Sequence, residues 1–185
     1  FVTWLDDSNS LLVADHQALF EYDLQAKRKN LIEYIKDQDV VFSANSGVVY
    51  YLDNAGILMS YNSGNIAPVL LKTKSLPTTI GQIITPAQNP SVLLLQTTDG
   101  SFVYLDLEHE VLEIVAILDA KFKSISADGS AIVFESNDKY MLYLADHILA
   151  ENKVETSIVD PSLNVQAIEN IEFNALSTHI VMQDN

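Results

Sequence analysis

Short apolar segments separated by polar turns fill most of this chain of 185 residues. The segments are mostly four or five residues long and are rich in β-branched and aromatic side chains, a pattern that favours strands over helices. The turns between them contain Asp, Asn, Ser and Gly, which tolerate a positive φ or bond their own backbone. The clearest apolar segments are residues 11–13, 18–22, 48–52, 57–61, 92–95, 102–105, 131–134 and 141–144. The pattern therefore predicts antiparallel strands joined by hairpin turns.

Only residues 105–118 have a helical alternative. Glu108, Glu110 and Glu113 interleave there with apolar residues, as they would on an amphipathic helix. A strand with alternating faces over residues 111–115 accounts for the same pattern equally well. The strand is the favoured interpretation of the two.

A tyrosine recurs at nearly fixed spacing along the chain. Four tyrosines are separated by steps of 39, 43 and 39 residues, and each is followed within three positions by Asp or Asn. They are Tyr22, Tyr61, Tyr104 and Tyr143. Around each one the same order recurs, with two strands before the tyrosine strand and one after it. Four antiparallel strands in about 40 residues have the size and content of a propeller blade.

A single four-stranded sheet leaves two apolar faces exposed, and stacking against neighbouring sheets buries both. We therefore predict an all-β fold: a β-propeller fragment with four four-stranded antiparallel blades and the start of a fifth. Residues 1–185 are expected to form one partial propeller domain of a longer protein with about six to eight blades. The predicted blades span about 1–35, 39–74, 80–118 and 122–159, and the partial blade spans 165–185.

Composition removes several classes of function. Apolar residues make up 48% of the chain and charged residues 19%, which suits a folded core. Without cysteine there is no disulfide framework, thiolate zinc site or thiol nucleophile. A net charge of -15 with a single arginine, Arg28, opposes binding to nucleic acid. Apolar runs such as 114–118 are far shorter than the roughly 20 residues of a membrane helix, so no membrane-spanning segment is expected.

Two segments resemble the repeats of TolB-type propellers. Residues 4–13 and 126–134 are similar to the family's strand-turn-strand signature, in which an aromatic or apolar residue precedes Ser-Pro-Asp-Gly and an apolar strand. The tyrosine strands around Tyr22 and Tyr143 look like the strand that ends in Tyr-x-x-Asp. The proline is missing throughout, and only Asp128 and Gly129 retain the Asp-Gly pair. The Gly-His and Trp-Asp dipeptides of WD-repeat proteins are absent.

The resemblance implies a role and a location. TolB is a periplasmic part of an envelope complex and binds partner proteins without catalysis. The resemblance therefore implies that this protein is a non-catalytic protein-interaction scaffold, located in the periplasm or outside the cell, within a larger complex. Similar propellers are also attached to peptidases. The alternative is therefore a gating or substrate-filtering propeller of a peptidase or hydrolase whose catalytic domain lies outside this chain.

Histidine and carboxylate positions give no site of their own. The four histidines, His16, His109, His147 and His179, are far apart in sequence, and only His109 and His147 occupy equivalent places where they could share a metal. Solvated loop histidines are the favoured interpretation. The carboxylate pairs lack the Asp-x-Asp-x-Asp-Gly spacing of a calcium loop and are expected to bond turn backbones. These pairs are Asp6 with Asp7, Asp37 with Asp39, and Glu108 with Glu110.

No enzyme signature is visible either. The chain has no Gly-x-Ser-x-Gly nucleophile elbow and no glycine-rich phosphate loop. We therefore predict no catalytic residue, no cofactor and no metal ligand. The repeated tyrosines are expected to pack between blades with their hydroxyls bonded. Trp4 is expected to pack there too, with sugar stacking at a propeller rim as its alternative.

Charge gives the predicted scaffold a mechanism. Loops on one rim would present an acidic surface to a macromolecular partner, and a basic protein would be steered toward it. A third interpretation is a structural or surface-layer component whose partner is a second copy of itself.

Overall fold

The structure is a computed structural model that describes most of the chain. It describes residues 2–5, 9–15, 17–35, 42–45, 47–53, 55–62, 69–70, 80–115, 119–137, 139–145, 156–157, 168–173 and 180–184. Over these residues the chain forms eighteen strands and the turns between them, without a helix. The described part accordingly offers no helix with the length and apolar character needed to cross a membrane.

The strands form four sheets of four and one of two. The first sheet contains β1 (Val2–Trp4), β2 (Ser10–Asp15), β3 (Ala18–Asp23) and β4 (Arg28–Tyr34). The second contains β5 (Phe42–Asn45), β6 (Val48–Leu52), β7 (Leu58–Tyr61) and β8 (Val69–Leu70). The third contains β9 (Ile80–Ile84), β10 (Val92–Thr97), β11 (Phe102–Asp106) and β12 (Val111–Val115). The fourth contains β13 (Lys121–Ile125), β14 (Ala131–Ser136), β15 (Lys139–Leu144) and β16 (Thr156–Ser157), and the last sheet pairs β17 (Ile168–Phe173) with β18 (Ile180–Asp184).

Within each sheet the strands follow one another in sequence order. Every strand pair whose register is described is antiparallel, as short hairpin turns require. The prediction of an all-β fold with four-stranded antiparallel sheets is confirmed. The strand interpretation of residues 111–115 is also confirmed, because β12 pairs with β11 from Phe102 opposite Val115 to Asp106 opposite Val111. Residues 107–110 form the turn between them, so the helical alternative is wrong.

The chain forms two compact units, each with its own buried side chains. The first unit comprises Phe1–Thr85 with Leu95–Thr98, and the second comprises Pro86–Leu94 with Asp99–Asn185. In the first unit, one face of the first sheet packs against the second sheet. That core is formed by Leu5, Leu12, Leu19, Ile35, Val49, Tyr51 and Tyr61. Alternation along each strand places these side chains on one face, where burial removes them from water.

Aromatic pairs join the third and fourth sheets within the second unit. The ring centroids of Phe102 and Phe134 lie 4.9 Å apart, and those of Tyr104 and Tyr143 lie 5.8 Å apart. Both pairs are tilted, the geometry that the ring quadrupoles favour. In each pair, one ring belongs to the third sheet and the other belongs to the fourth sheet.

The first strands of successive sheets lie beside one another. In the first unit β5 contacts β9, and in the second unit β13 contacts β17. The sheets are therefore related by contacts between their first strands and by face-to-face packing, as propeller blades are. The single-domain assignment of residues 1–185 and the blade limits of 1–35, 39–74, 80–118, 122–159 and 165–185 stay predictions.

Candidate functional site

The turn between β11 and β12 is organised by one buried carboxylate. Asp106 ends β11, and its Oδ1 accepts hydrogen bonds from the backbone N–H groups of Glu108 at 2.9 Å and His109 at 3.0 Å. Its Oδ2 lies 2.9 Å from Nδ1 of His109. Aspartate bonds turn backbones in this way, and Glu110 completes the turn with a φ of 56°. The backbone of the turn is therefore ordered, and Glu108 and Glu110 on it are exposed to solvent.

The bond to Asp106 also favours the protonated form of His109. It raises the pKa of His109 above its ordinary value, and the charges of Asp106 and Glu108 act in the same direction. His109 is thus an exposed side chain of the turn whose partner is Asp106. Over the part of the chain that the structure describes, no group of three or more His, Asp or Glu side chains could hold a metal ion.

The turn between β13 and β14 is closed by its own hydroxyls. Oγ of Ser126 donates to Oδ1 of Asp128 at 2.6 Å and accepts the backbone N–H of Ala131 at 2.9 Å. The backbone N–H of Ser130 donates to the same Oδ1 at 3.1 Å. Partial burial disfavours the ionised carboxyl, but these hydrogen bonds outweigh it and lower the pKa of Asp128. The segment that carries the TolB-type resemblance is therefore a structural turn.

Two backbone hydrogen bonds join these turns to the loop after β9. The N–H of Gln88 donates to the carbonyl of Ala127 at 2.7 Å, and the N–H of Leu107 donates to the carbonyl of Ser91 at 2.8 Å. Residues 86–91, 107–110 and 126–130 consequently form one continuous surface of the second unit, which we call the acidic rim. Glu108, Glu110 and Asp128 are exposed on it, and its three segments contain no Lys or Arg.

Gly129 lets this surface pack tightly. Its φ is +81°, and a Cβ at this position would lie 2.7 Å from Cγ1 of Val92 and 3.0 Å from Cγ of Pro86. Only glycine satisfies both the backbone conformation and the close approach. The turn after β13 is thereby seated directly against the start of β10.

Two of the four repeated tyrosines are shown to behave as predicted. Tyr61, Tyr104 and Tyr143 are buried. The hydroxyl of Tyr61 donates to Glu21 of the first sheet at 3.0 Å, and that of Tyr143 donates to Glu113 of the third sheet at 2.6 Å. Packing between neighbouring sheets with a bonded hydroxyl is therefore confirmed for these two. Tyr22 differs, because it is only half-buried and lies 5.4 Å from Nζ of Lys29.

Trp4 is not packed between any of the described sheets. Its side chain is 58% exposed, and Val2 on the same face is exposed as well. Trp4 lies opposite Leu11 and Val2 opposite Val13, whereas the face that packs on the second sheet carries Leu12. Trp4 therefore points away from the only sheet that the described residues stack on the first one.

Several candidate residues lie outside the described residues. They are His16, His147, His179, Asp6, Asp7, Asp37 and Asp39. The shared metal considered for His109 and His147 is consequently an untested alternative.

Sequence reasoning missed the carboxylates that receive the tyrosine hydroxyls. Glu21 and Glu113 accept from Tyr61 and Tyr143, and Glu33 accepts from Tyr51 at 2.6 Å. The available signal was a glutamate within an otherwise apolar strand, as in residues 111–115. It also missed the three consecutive basic residues at 27–29.

No family model matches the chain, and no curated protein matches it in sequence. Solved structures do match its fold. The β-propeller domain of Cps50 (Swd1) from Myceliophteria thermophila matches 100% of this chain at 9% identity with a TM-score of 0.55. The N-terminal domain of Nup159 matches 100% of it at 13% identity with a TM-score of 0.55. KlAtg21, in a complex with the coiled coil of AgAtg16, matches 95% of it at 12% identity with a TM-score of 0.56.

These likenesses show the fold, which is a β-propeller fold. The chain spans 62%, 52% and 61% of the lengths of the three matched chains. The narrower resemblance to TolB-type repeats is not confirmed by them.

Proposed function

We propose that this protein is a non-catalytic interaction scaffold whose acidic rim binds a protein partner with a basic surface. The observation that carries the proposal is the arrangement of Glu108, Glu110 and Asp128 on one rim whose segments contain no Lys or Arg. Backbone N–H groups donate hydrogen bonds to the carboxylates of Asp106 and Asp128, so the backbone of these turns needs little ordering when a partner arrives.

Propellers of similar fold support a binding role. KlAtg21 is a propeller seen in complex with a coiled coil, that of AgAtg16. The fold itself leaves the turns at its rims free to vary without disturbing the stacked sheets. A rim is thus a suitable place for a binding surface in this chain also.

The resemblance to TolB-type repeats supports a location and an assembly for this scaffold. We infer a periplasmic or extracellular protein of the cell envelope that acts within a larger complex. Fractionation of the cell with an antibody against the full-length protein tests the location. Recovery of the protein in the cytoplasmic fraction would contradict it.

Electrostatics predicts how the partner associates. With a net charge of -15, the protein attracts a basic partner over long distances at low salt. Raising the salt from about 0.1 M to about 1 M shortens the Debye length from about 10 Å to about 3 Å. Association should then slow by roughly tenfold or more, while a partner bound mainly by apolar contacts would associate at nearly the same rate.

The rim is tested by two variants with equal charge changes. Glu108→Gln with Glu110→Gln removes two charges from the acidic rim. Asp99→Asn with Asp119→Asn removes two from turns at the opposite ends of the strands and keeps the side-chain oxygen that bonds Ser101 at 3.0 Å. Partners are captured by cross-linking with the full-length protein and identified by mass spectrometry.

The rim variant should lose a basic partner that the wild type and the control variant retain. Equal retention by all three proteins would contradict the assignment of the rim. Recovery of a peptidase or hydrolase, with substrate turnover altered by the rim variant, would favour the gating role over the scaffold.

A further inference from the structure

The outer edge of the first sheet is formed by a long strand. β4 (Arg28–Tyr34) has seven residues, and among the described strands it pairs with β3 alone. A long strand at a sheet edge presents a row of backbone N–H and C=O groups to which another strand can pair.

This edge carries positive charge in an acidic protein. Lys27, Arg28 and Lys29 are three of the ten basic residues of the chain. Among the described residues, Lys27 and Arg28 form no ion pair, whereas both Lys121 and Lys123 pair with Glu135. All three residues at 27–29 are exposed.

Packing fixes the position of one of these charges. Nζ of Lys29 lies 3.7 Å from the centroid of the Phe20 ring, a cation-π contact. Arg28 lies opposite Asp23 across the strand pair, and that carboxylate accepts the backbone N–H of Ala26 at 2.8 Å. The turn before β4 is therefore ordered, and its charges stand at the start of the strand.

One face of the other half of the edge is apolar. Leu31 is 47% exposed and Tyr34 is 64% exposed. Lys29, Leu31 and Tyr34 lie opposite Tyr22, Phe20 and Ala18, so they share one face of the sheet. The strand thus presents basic side chains at its beginning and apolar side chains at its end.

We propose that an extended acidic peptide segment of a partner protein pairs with β4 as a fifth strand of the first sheet. Its acidic residues lie beside residues 27–29, and its apolar residues lie beside Leu31 and Tyr34. Backbone hydrogen bonds supply affinity, and the paired charges and apolar contacts supply specificity. This edge is a different surface from the acidic rim. It binds an acidic partner, whereas the rim binds a basic one.

A second copy of this chain is a poorer occupant. Two copies with a net charge of -15 each repel one another. Pairing β4 with the β4 of another copy would also bring two sets of basic residues to the same edge. The basic residues have a further explanation, since charged side chains on an edge prevent unwanted pairing. That explanation predicts that no peptide binds.

The test is fluorescence anisotropy with a labelled peptide and the full chain. The peptide has ten residues, rich in Glu and Asp in one half and alternating Val with Ser in the other. A second peptide of the same sequence carries N-methyl groups at alternate amides, which removes backbone donors. Salt is held near 0.1 M, where the Debye length is about 10 Å. Charges close to the bound peptide then act on it more strongly than the distant charges of the protein, which are screened.

Two variants with the same change of charge locate the site. Lys27→Gln with Arg28→Gln alters the edge, and Lys121→Gln with Lys139→Gln alters the fourth sheet. The edge variant should bind the peptide roughly three- to thirty-fold more weakly. The control variant should bind within about twofold of wild type, and the N-methylated peptide should not bind. Amide chemical shifts should change along β4.

Other outcomes would overturn the proposal. These are absence of peptide binding, equal weakening by both variants, and equal binding of the N-methylated peptide. Two further results would assign the edge to a different occupant. One is binding to vesicles of phosphatidylcholine and phosphatidylserine without binding to the peptide. The other is a dimer in sizing chromatography that the edge variant abolishes.

Discussion

The hydroxyl of Tyr143 donates a 2.6 Å hydrogen bond to Oε2 of Glu113, which lies on the sheet before it in the chain. Tyr61 makes the equivalent contact with Glu21 at 3.0 Å in the first unit. Burial and the bond to Glu113 both raise the pKa of Tyr143, because each opposes its ionisation. The contact is a polar connection between two stacked sheets.

Replacing Tyr143 with phenylalanine tests what this connection contributes. We expect the free energy of unfolding to fall by about 1–3 kcal/mol, because the half-buried carboxylate of Glu113 loses the hydrogen bond from the Tyr143 hydroxyl. Urea denaturation measures the change. Tyr22→Phe is the matched control, since Tyr22 occupies the same repeat position but is half-exposed, and it should change stability by under about 0.5 kcal/mol. Equal losses in the two variants would show that the hydrogen bond between sheets is not the cause.

Gly129→Ala should destabilise the second unit more than an ordinary turn substitution. The new Cβ would lie 2.7 Å from Cγ1 of Val92, and the backbone has a φ of +81°. We expect a loss of about 2–4 kcal/mol from the strained backbone and the overpacking together. Thermal unfolding followed by circular dichroism gives the difference.

Gly100→Ala separates the two causes. Gly100 has a φ of +88° but nothing within 4 Å of an added Cβ. Only the backbone cost of about 1 kcal/mol applies there. If Gly100→Ala were as destabilising as Gly129→Ala, the close approach to Val92 would have no role.

The pKa of His109 should lie above its ordinary value because of its bond to Asp106. A raised folded pKa means that the interaction stabilises the fold fully below about pH 6.5 and is lost as the pH rises through the raised value. NMR titration of the imidazole measures this pKa directly. Glu108→Gln should lower it slightly, since the charge of Glu108 contributes. A pKa at or below the ordinary histidine value would contradict the contact with Asp106.

Glu135 should respond unequally to its two lysines. Nζ of Lys123 lies 2.6 Å from Oε2, and Nζ of Lys121 lies 3.6 Å from Oε1. The hydrogen bond from Lys123 is the main reason that the pKa of Glu135 is lowered. Its contribution to stability is present above the ordinary glutamate pKa and is lost as the pH falls through the lowered value.

Lys123→Ala should therefore raise the pKa of Glu135 more than Lys121→Ala does. The loss of stability at neutral pH should be under about 1 kcal/mol, because the pair is partly exposed. Carboxyl titration by NMR and urea denaturation measure the two effects. A larger change in the Lys121→Ala variant would reverse the assignment.

The alternation of apolar residues and the spacing of the tyrosines were enough to predict the strands and their order. Residues 111–115 show why, since a period of two and a turn before it are local properties. The turn residues at 127–130 likewise predicted a hairpin, and Asp128 and Gly129 occupy it. Local chemistry decides these features, so they can be read without knowing the neighbours in space.

Contacts between sheets could not be read in the same way. Nothing in the spacing pairs Tyr143 with Glu113, 30 positions earlier, or separates the buried Tyr61 from the half-exposed Tyr22. Trp4 shows the same limit, because its side chain could have faced either side of the first sheet. By itself the sequence determined which residues form strands, turns and repeats. The stacking of the sheets decided which face is covered, which turns meet in the acidic rim and which edge remains open, because those depend on residues distant along the chain.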